Sequence, residues 1–151
     1  GLPCRRMAGG SIMTARDTYL LERQVGFMMR RAMQRHIAIF SSLIPDMTPT
    51  QFAALAKLCE LGQTSQNELG RLTSMDVATI KGVVDRLRAR GLVQAAPLVG
   101  DRRRLLLTPT EEGQTLYAEL VGKASEVTRQ TLAPLDSQER DQLVKLLERL
   151  I

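Results

Sequence analysis

The fold is decided by residues 76–107, which read DVATIKGVVDRLRARGLVQAAPLVGDRRRLLL. The first half of this stretch repeats apolar residues at steps of three and four, the spacing of one buried helix face. Those residues are Ile80, Val83, Val84 and Leu87. The second half predicts two short strands, over 92–96 and 105–107, joined through the turn residues Gly100-Asp101. We therefore predict a helix followed by a β-hairpin that carries Arg102, Arg103 and Arg104 at its tip.

Two shorter helices precede this one, and both have start signals. Thr48-Pro49-Thr50-Gln51 offers a cap, a proline for the first helical position and a glutamine that completes a capping box. The helix that follows is predicted to end at Gly62. Ser65-Gln66-Asn67-Glu68 is a second capping box, and it opens a helix that runs through Leu72. With the helix from Asp76 to Arg90, these elements predict a helix-turn-helix.

Longer amphipathic helices flank this segment. The first is predicted from Asp17 to Leu43, and Pro45 breaks it. The second starts within Thr108-Pro109-Thr110-Glu111, where either threonine can cap, and reaches about Leu132. The last opens at Asp136-Ser137-Gln138-Glu139. Its apolar stripe consists of Leu143, Leu146, Leu147 and Leu150.

The predicted fold is mainly α with a small β-hairpin wing, a winged helix-turn-helix with flanking helices. We expect one domain overall, with the winged lobe at 47–109 and the flanking helices at 13–46 and 110–151. Met13 followed by threonine is typical of a native start, so residues 1–12 are predicted to be a vector-derived or disordered tail.

Composition limits the function classes. The 151 residues carry a formal net charge of +5. The segment from Lys81 to Arg104 holds seven basic and two acidic residues, so its excess alone equals that of the whole chain. This balance permits a polyanionic partner, although a solvated charged face is the other interpretation.

Several other classes are disfavoured. Cys4 and Cys59 make no disulfide framework, and His36 is the only histidine, so we expect no metal site and no cofactor. The sequence holds no nucleophile–base spacing or phosphate-binding glycine loop, so we do not expect an enzyme. No apolar run is long enough for a membrane span, and a reducing, cytoplasmic setting is expected.

The helix of residues 76–90 has the chemistry of a DNA-reading element. With its apolar face buried, the opposite face presents Ala78, Lys81, Gly82 and Asp85. Small residues allow the backbone to approach the major groove, which is wide enough for one helix. The arginines of the hairpin could then enter the adjacent minor groove, where negative potential attracts them.

These elements resemble the MarR family of bacterial regulators. The resemblance spans Asp17 to Ile151 and depends on motifs rather than on composition. The motifs are Leu69-Gly70-Arg71-Leu72, residues 76–86, residues 87–93, Gly100-Asp101-Arg102-Arg103 and Thr110-Glu111-Glu112-Gly113.

The resemblance implies a homodimer whose terminal helices interlock and whose two wings straddle a pseudo-palindromic operator in double-stranded DNA. It implies that Arg103 enters the minor groove and that Asp101 braces the wing through an arginine, for which Arg86 is placed. Pro109 stands where the family usually has leucine, so we expect the hairpin to end slightly early. The candidate DNA contacts are Ser65, Gln66, Asp76, Ala78, Thr79, Lys81, Gly82, Arg86, Asp101, Arg102, Arg103 and Arg104.

The resemblance also implies a small effector, often an aromatic carboxylate or phenol, bound between the dimerisation helices and the DNA-binding lobe. The candidate lining residues are Met29, Met33, His36, Phe40, Phe52 and Leu55. Arg31 or Arg35 could supply positive charge for an anionic ligand. A hydrogen-bonded packing role for His36 is the stronger alternative.

The predicted function is a homodimeric, sequence-specific transcriptional regulator, a repressor that its ligand releases from DNA. Activation of transcription is the alternative outcome of the same mechanism. Two other interpretations stay open: a winged-helix protein-interaction module whose hairpin meets an acidic partner, and an architectural DNA-binding protein without a ligand.

Overall fold

The computed structural model describes residues 18–151, so the predicted tail at 1–12 and the helix start at Asp17 lie outside the described residues. The chain divides into two compact units, Gly1–His36 and Ile37–Ile151. Helix α1 (Val25–Leu43) begins in the first unit and ends in the second.

In the first unit, the prediction of one continuous helix from Asp17 is wrong over its described start. A 3-10 turn covers Leu21–Arg23, and Gln24 after it is extended, with φ −77° and ψ 134°. The side-chain amide of Gln24 donates to the carbonyl of Leu20 at 2.8 Å and holds this break before α1 begins. The apolar spacing does not reveal this break, because the residues around it keep the helical period.

The second unit contains the winged lobe. Its further elements are α2 (Pro49–Leu61), β1 (Thr64–Ser65), α3 (Gln66–Leu72), α4 (Val77–Ala89), β2 (Val93–Leu98), β3 (Asp101–Pro109), α5 (Glu111–Thr131) and α6 (Ser137–Glu148). Most predicted helix bounds are therefore confirmed to within one or two residues.

The start signals explain these bounds. Thr48 and Gln51 form the predicted capping box, each side chain accepting from the other's backbone N–H at 3.2 Å. Asp136 and Glu139 form the same box at α6. The predicted box at α3 is only half formed, because Ser65 accepts from the N–H of Glu68 whereas the Glu68 carboxylate pairs with Arg71.

The core of the second unit is aliphatic and centres on α4. All four apolar residues predicted for the inner face of that helix are buried. They pack with side chains from the neighbouring helices and strands, among them Ile44, Leu55, Leu58, Leu69, Leu107 and Val127. Burying these ten branched side chains supplies the driving force for folding of this unit, at roughly 1.5–3 kcal/mol for each fully buried one.

The sheet is larger than predicted. It has three antiparallel strands in the order β1-β3-β2, because Thr64 pairs with Leu107 and Ser65 with Leu106. A two-residue strand is too short to leave a periodic signal in sequence. The hairpin does not end early either: Pro109 is the last residue of β3 and lies opposite Val93. A proline is tolerated there because the end of a strand need not donate a ladder hydrogen bond.

The end of α4 is tied to the start of α5. The hydroxyl of Thr110 donates to the carbonyl of Gly91 at 2.6 Å, and its backbone N–H donates to the carbonyl of Leu92 at 3.0 Å. The same hydroxyl accepts from the N–H of Gly113 at 3.0 Å and so caps α5. One threonine thus fixes the orientation of the α4 terminus against the long helix.

Candidate nucleic-acid interface

The exposed face of α4 is anchored at its N-terminus by Asp76. The carboxylate accepts from the backbone N–H of Thr79 at 2.7 Å, which lowers the pKa of Asp76, and the side chain of Thr79 bonds to it as well. Ala78 is exposed on the first turn, whereas Gly82 is half-buried. Asp76 and Thr79 therefore cap the helix, independently of any contact with DNA.

One turn further along, Lys81 and Asp85 form an ion pair. The Nζ of Lys81 lies 2.9 Å from a carboxylate oxygen of Asp85, and this hydrogen bond is the main cause of the lowered pKa of Asp85. Both side chains are exposed, so the pair contributes little to stability. Its effect is to hold the lysine amine against the helix surface, while Arg86 on the next turn is exposed.

The three wing arginines lie on β3, beside the hairpin tip and not at it. The turn itself is Val99-Gly100, and Gly100 has a φ of 88°, a left-handed conformation that favours glycine. The register shifts from Pro97 opposite Leu105 to Leu98 opposite Asp101. Residues 102–104 consequently have no counterpart on β2 and form an exposed bulge. Bulges of this kind redirect side chains away from the sheet.

Asp101 shapes this bulge. Its carboxylate accepts from the backbone N–H of Arg103 at 3.0 Å. The expected brace to Arg86 is wrong: within residues 18–151 no ion pair joins the two side chains, and the carboxylate turns back on its own strand instead. A short acidic side chain commonly bonds to the backbone two residues on, as Asp101 does here.

A small cleft joins the wing to the start of α3. Its volume is about 70 Å³, and it is lined by Ser65, Gln66, Asn67, Arg103, Arg104 and Leu105. The structure thus brings two predicted helix residues together with two predicted wing residues. Asn67 was missed by the sequence analysis, although a polar residue in the first turn of a helix-turn-helix element is a signal for it.

The exposed face of α4 and the wing carry positive charge that a polyanion can contact. Each of its acidic side chains already accepts a hydrogen bond from the surface itself: Asp76 from Thr79, Asp85 from Lys81 and Asp101 from Arg103. Their negative charge is therefore partly compensated in place. Arg86 and the three arginines of the bulge remain as exposed positive charge on the α4 and wing surface.

The candidate ligand residues divide between the two units. In the first unit, Met29, Met33, Arg31 and Arg35 are exposed on α1 and His36 is half-buried, with the Arg31 guanidinium 5.9 Å from the ring centre of Phe27. In the second unit, Phe40 and Leu55 are buried in the core and Phe52 is half-buried. Within this second group the ring centres of Phe40 and Phe52 lie 6.2 Å apart.

Tyr117 on α5 extends this aromatic group. Its ring centre lies 6.1 Å from that of Phe52, so the two phenylalanines and the tyrosine form a chain of ring contacts inside the second unit. The sequence analysis missed Tyr117 because it lies more than sixty residues beyond Phe52 in the chain.

Two further observations concern the reactivity of Cys59 and the presence of metal sites or membrane-spanning helices. Cys59 packs against the core, and burial raises the pKa of its thiol, which keeps it in the weakly nucleophilic form. Across residues 18–151, no cluster of three potential metal ligands is present and no helix is long and apolar enough to cross a bilayer.

Comparison with known proteins gives a consistent result. The profile of the MarR family matches residues 46–104. The HTH-type transcriptional repressor NicR of Pseudomonas putida is 39% identical over 135 residues, which cover 88% of this chain and 85% of that protein. A probable transcriptional regulator from Pseudomonas aeruginosa is 49% identical with a TM-score of 0.84, and covers 87% of this chain and all of its own.

A further solved structure is of Bordetella bronchiseptica BpsR, whose DNA binding is described as regulated by 6-hydroxynicotinic acid. It is 39% identical with a TM-score of 0.83, over 87% of this chain and 96% of that one.

Proposed function

This chain belongs to the MarR family of transcriptional regulators, and from that premise we propose that it is a homodimeric repressor released from a pseudo-palindromic operator by an aromatic carboxylate. The observation that carries the DNA-binding part is the wing: an exposed bulge of three arginines, two of which share a cleft with the start of α3 in the helix-turn-helix. A merely solvated role would not require their placement next to a helix-turn-helix.

In the proposed complex, α4 enters the major groove and the bulge of residues 102–104 enters the flanking minor groove. Ser65, Gln66 and Asn67 line the same small cleft as Arg103 and Arg104, beside the bulge. Polar side chains and arginines of this kind position a protein on the DNA backbone, while α4 supplies sequence preference.

The homodimer is supported by apolar side chains that one protomer leaves exposed near its two termini. They include Tyr19, Leu20, Leu21, Val25, Met28, Met29, Met33 and Ile37, and at the other end Val144, Leu146, Leu147 and Leu150. Single exposed apolar residues are common, but a run of this extent is typical of a surface that another protein covers. A second copy of this chain is the occupant that the two-fold symmetry of an operator requires.

The proposed effector is a carboxylate of the 6-hydroxynicotinic acid type. This choice is supported by the BpsR relative and by the arginines of α1, which provide charge for a carboxylate. Two recognition helices fit one DNA face only when about 34–36 Å apart, so a ligand that favours another spacing releases the protein. Its effect equals its differential affinity for the two states, typically 1–3 kcal/mol.

The experiment that tests the proposed function is to bind the purified protein to sheared genomic DNA at physiological salt and to sequence the retained fragments. We expect a short inverted repeat near a few promoters. Uniform retention would overturn the sequence-specific repressor in favour of an architectural protein, and no retention would favour a protein-interaction module. Adding 6-hydroxynicotinic acid to the same reaction should release the retained fragments.

The effector site can be tested at His36. We expect 6-hydroxynicotinic acid to weaken operator binding of the wild-type protein about tenfold, within the usual range of allosteric coupling. His36→Ala should reduce this response to less than about threefold while operator binding without ligand stays unchanged. Fluorescence anisotropy with labelled operator measures both quantities.

Gln34→Ala is the matched control for this test, because Gln34 is exposed on the same helix and is not a candidate ligand residue. It should respond to the ligand as the wild type does. If 6-hydroxynicotinic acid weakens operator binding of His36→Ala as much as that of the wild type, the role of His36 is packing and not ligand binding.

A further inference from the structure

Val77 is the first residue of α4 and leaves 72% of its surface exposed. Folding gives no reason for a valine there, since a β-branched side chain loses rotamer freedom in a helix and buries little in return. It follows the cap residue Asp76 directly, and Ala78 beside it is exposed as well. The N-terminal end of α4 therefore presents an apolar surface to solvent.

The polar groups around Val77 are already engaged. The hydroxyl and backbone N–H of Thr79 bond to the carboxylate of Asp76, and the Nζ of Lys81 lies 2.9 Å from Asp85. The neighbouring polar side chains are thus engaged with one another, and the methyl groups of Val77 and Ala78 are apolar atoms that the first turn exposes.

The N-terminal residues of a recognition helix contact base edges. In the major groove, only thymine presents a methyl group, and apolar side chains recognise it by contact. We infer that Val77, with Ala78 beside it, determines operator specificity by packing on a thymine methyl in each half-site. This inference rests on the proposed DNA-binding function and names one element of its sequence preference.

The test replaces each thymine of the recovered operator by deoxyuridine, which removes only the methyl group. We expect the wild-type protein to lose about fourfold in affinity at one thymine of each half-site, the effect of one buried methyl group, and roughly fifteenfold when both are replaced. Val77→Ala should bind the thymine operator more weakly and show a clearly smaller uracil penalty at that position, because only the methyl groups of two alanines remain there.

Val121→Ala is the comparison variant and should keep the full uracil penalty, because it makes the same substitution at an exposed valine of α5 and leaves both apolar side chains of α4 in place. Alanine is a better helix former than valine, so circular dichroism should show an intact helix content in Val77→Ala. A uracil penalty as large in Val77→Ala as in the wild type would overturn the inference alone, as would a wild-type protein indifferent to every thymine methyl. A wild-type protein without any preferred operator would overturn the proposed function with it.

Discussion

Gly113→Ala is expected to lower the free energy of unfolding by about 3 kcal/mol, at the upper end of the usual cost of overpacking. A Cβ atom built on Gly113 would overlap the carbonyl oxygen of Leu92 and lie 3.1 Å from its carbonyl carbon. Both partners are backbone atoms, so no side-chain rotation relieves the collision. Chemical denaturation followed by circular dichroism measures the loss.

The surroundings leave little room for the backbone to move. The carbonyl of Leu92 already accepts the N–H of Thr110 at 3.0 Å, and the hydroxyl of Thr110 holds Gly91. Nearby, the Arg90 guanidinium donates to the carbonyl of Asp46 at 2.8 Å and ties the end of α4 to the loop before α2. Separating Leu92 from Gly113 would therefore strain or break several hydrogen bonds.

Gly122 supplies a matched control on the same helix. It is exposed, and a Cβ there would meet no atom within 4 Å. Gly122→Ala should raise the free energy of unfolding by about 0.5–1 kcal/mol, because alanine loses less backbone entropy in a helix. All three proteins must be compared at one concentration, since association contributes to the stability of a dimer. Equal stability of the two variants would contradict the close packing described for Gly113.

The features that were predicted correctly from the sequence depend on local chemistry. Caps are local, so Thr48, Asp76 and Asp136 marked the starts of their helices correctly. The buried face of α4 was equally predictable, because a helical period with branched apolar residues has few other uses. The candidate DNA-facing side of that helix followed as its complement.

The features that the sequence analysis missed depend on pairing between distant segments. Strand β1 exists only because Thr64 and Ser65 find an edge on β3, more than forty residues later. The three-residue register shift in the wing arises from how β2 and β3 align, and no local pattern encodes it. Asp101 bonds to the backbone of its own strand, a local contact that the family resemblance did not indicate.

The candidate ligand-binding residues could not be distinguished from core residues by sequence. Leu55 and Phe52 have the same helical spacing whether they fill a core or line a pocket, and periodicity cannot separate the two. In the structure Leu55 is completely buried, whereas Phe52 is half-buried and contacts Tyr117. In this unit, the half-buried rings of Phe52 and Tyr117 are therefore better placed than the buried side chain of Leu55 to contact a small molecule.

Arg103→Ala is expected to weaken operator binding roughly 100-fold, since the proposed dimer would lose two contacts that are each worth about 1.4 kcal/mol. The dependence of affinity on salt should flatten too, with the slope falling by about 0.9 for each phosphate contact removed. Titration of labelled operator at several salt concentrations gives both values from one series. Arg149→Ala, an equal loss of charge at the exposed end of α6, should leave the slope unchanged.

Asp101→Ala separates the charge of the wing from its shape. This change removes the acceptor for the backbone N–H of Arg103 but keeps all three arginines. If the bulge must be held in one conformation, affinity falls while the salt slope stays as steep as in the wild type, because every cation is still present. If Arg103 acted only as diffuse positive charge, removing a nearby carboxylate would strengthen binding. A gain in affinity for Asp101→Ala, together with an unchanged slope for Arg103→Ala, would contradict the placement of this wing in a DNA groove.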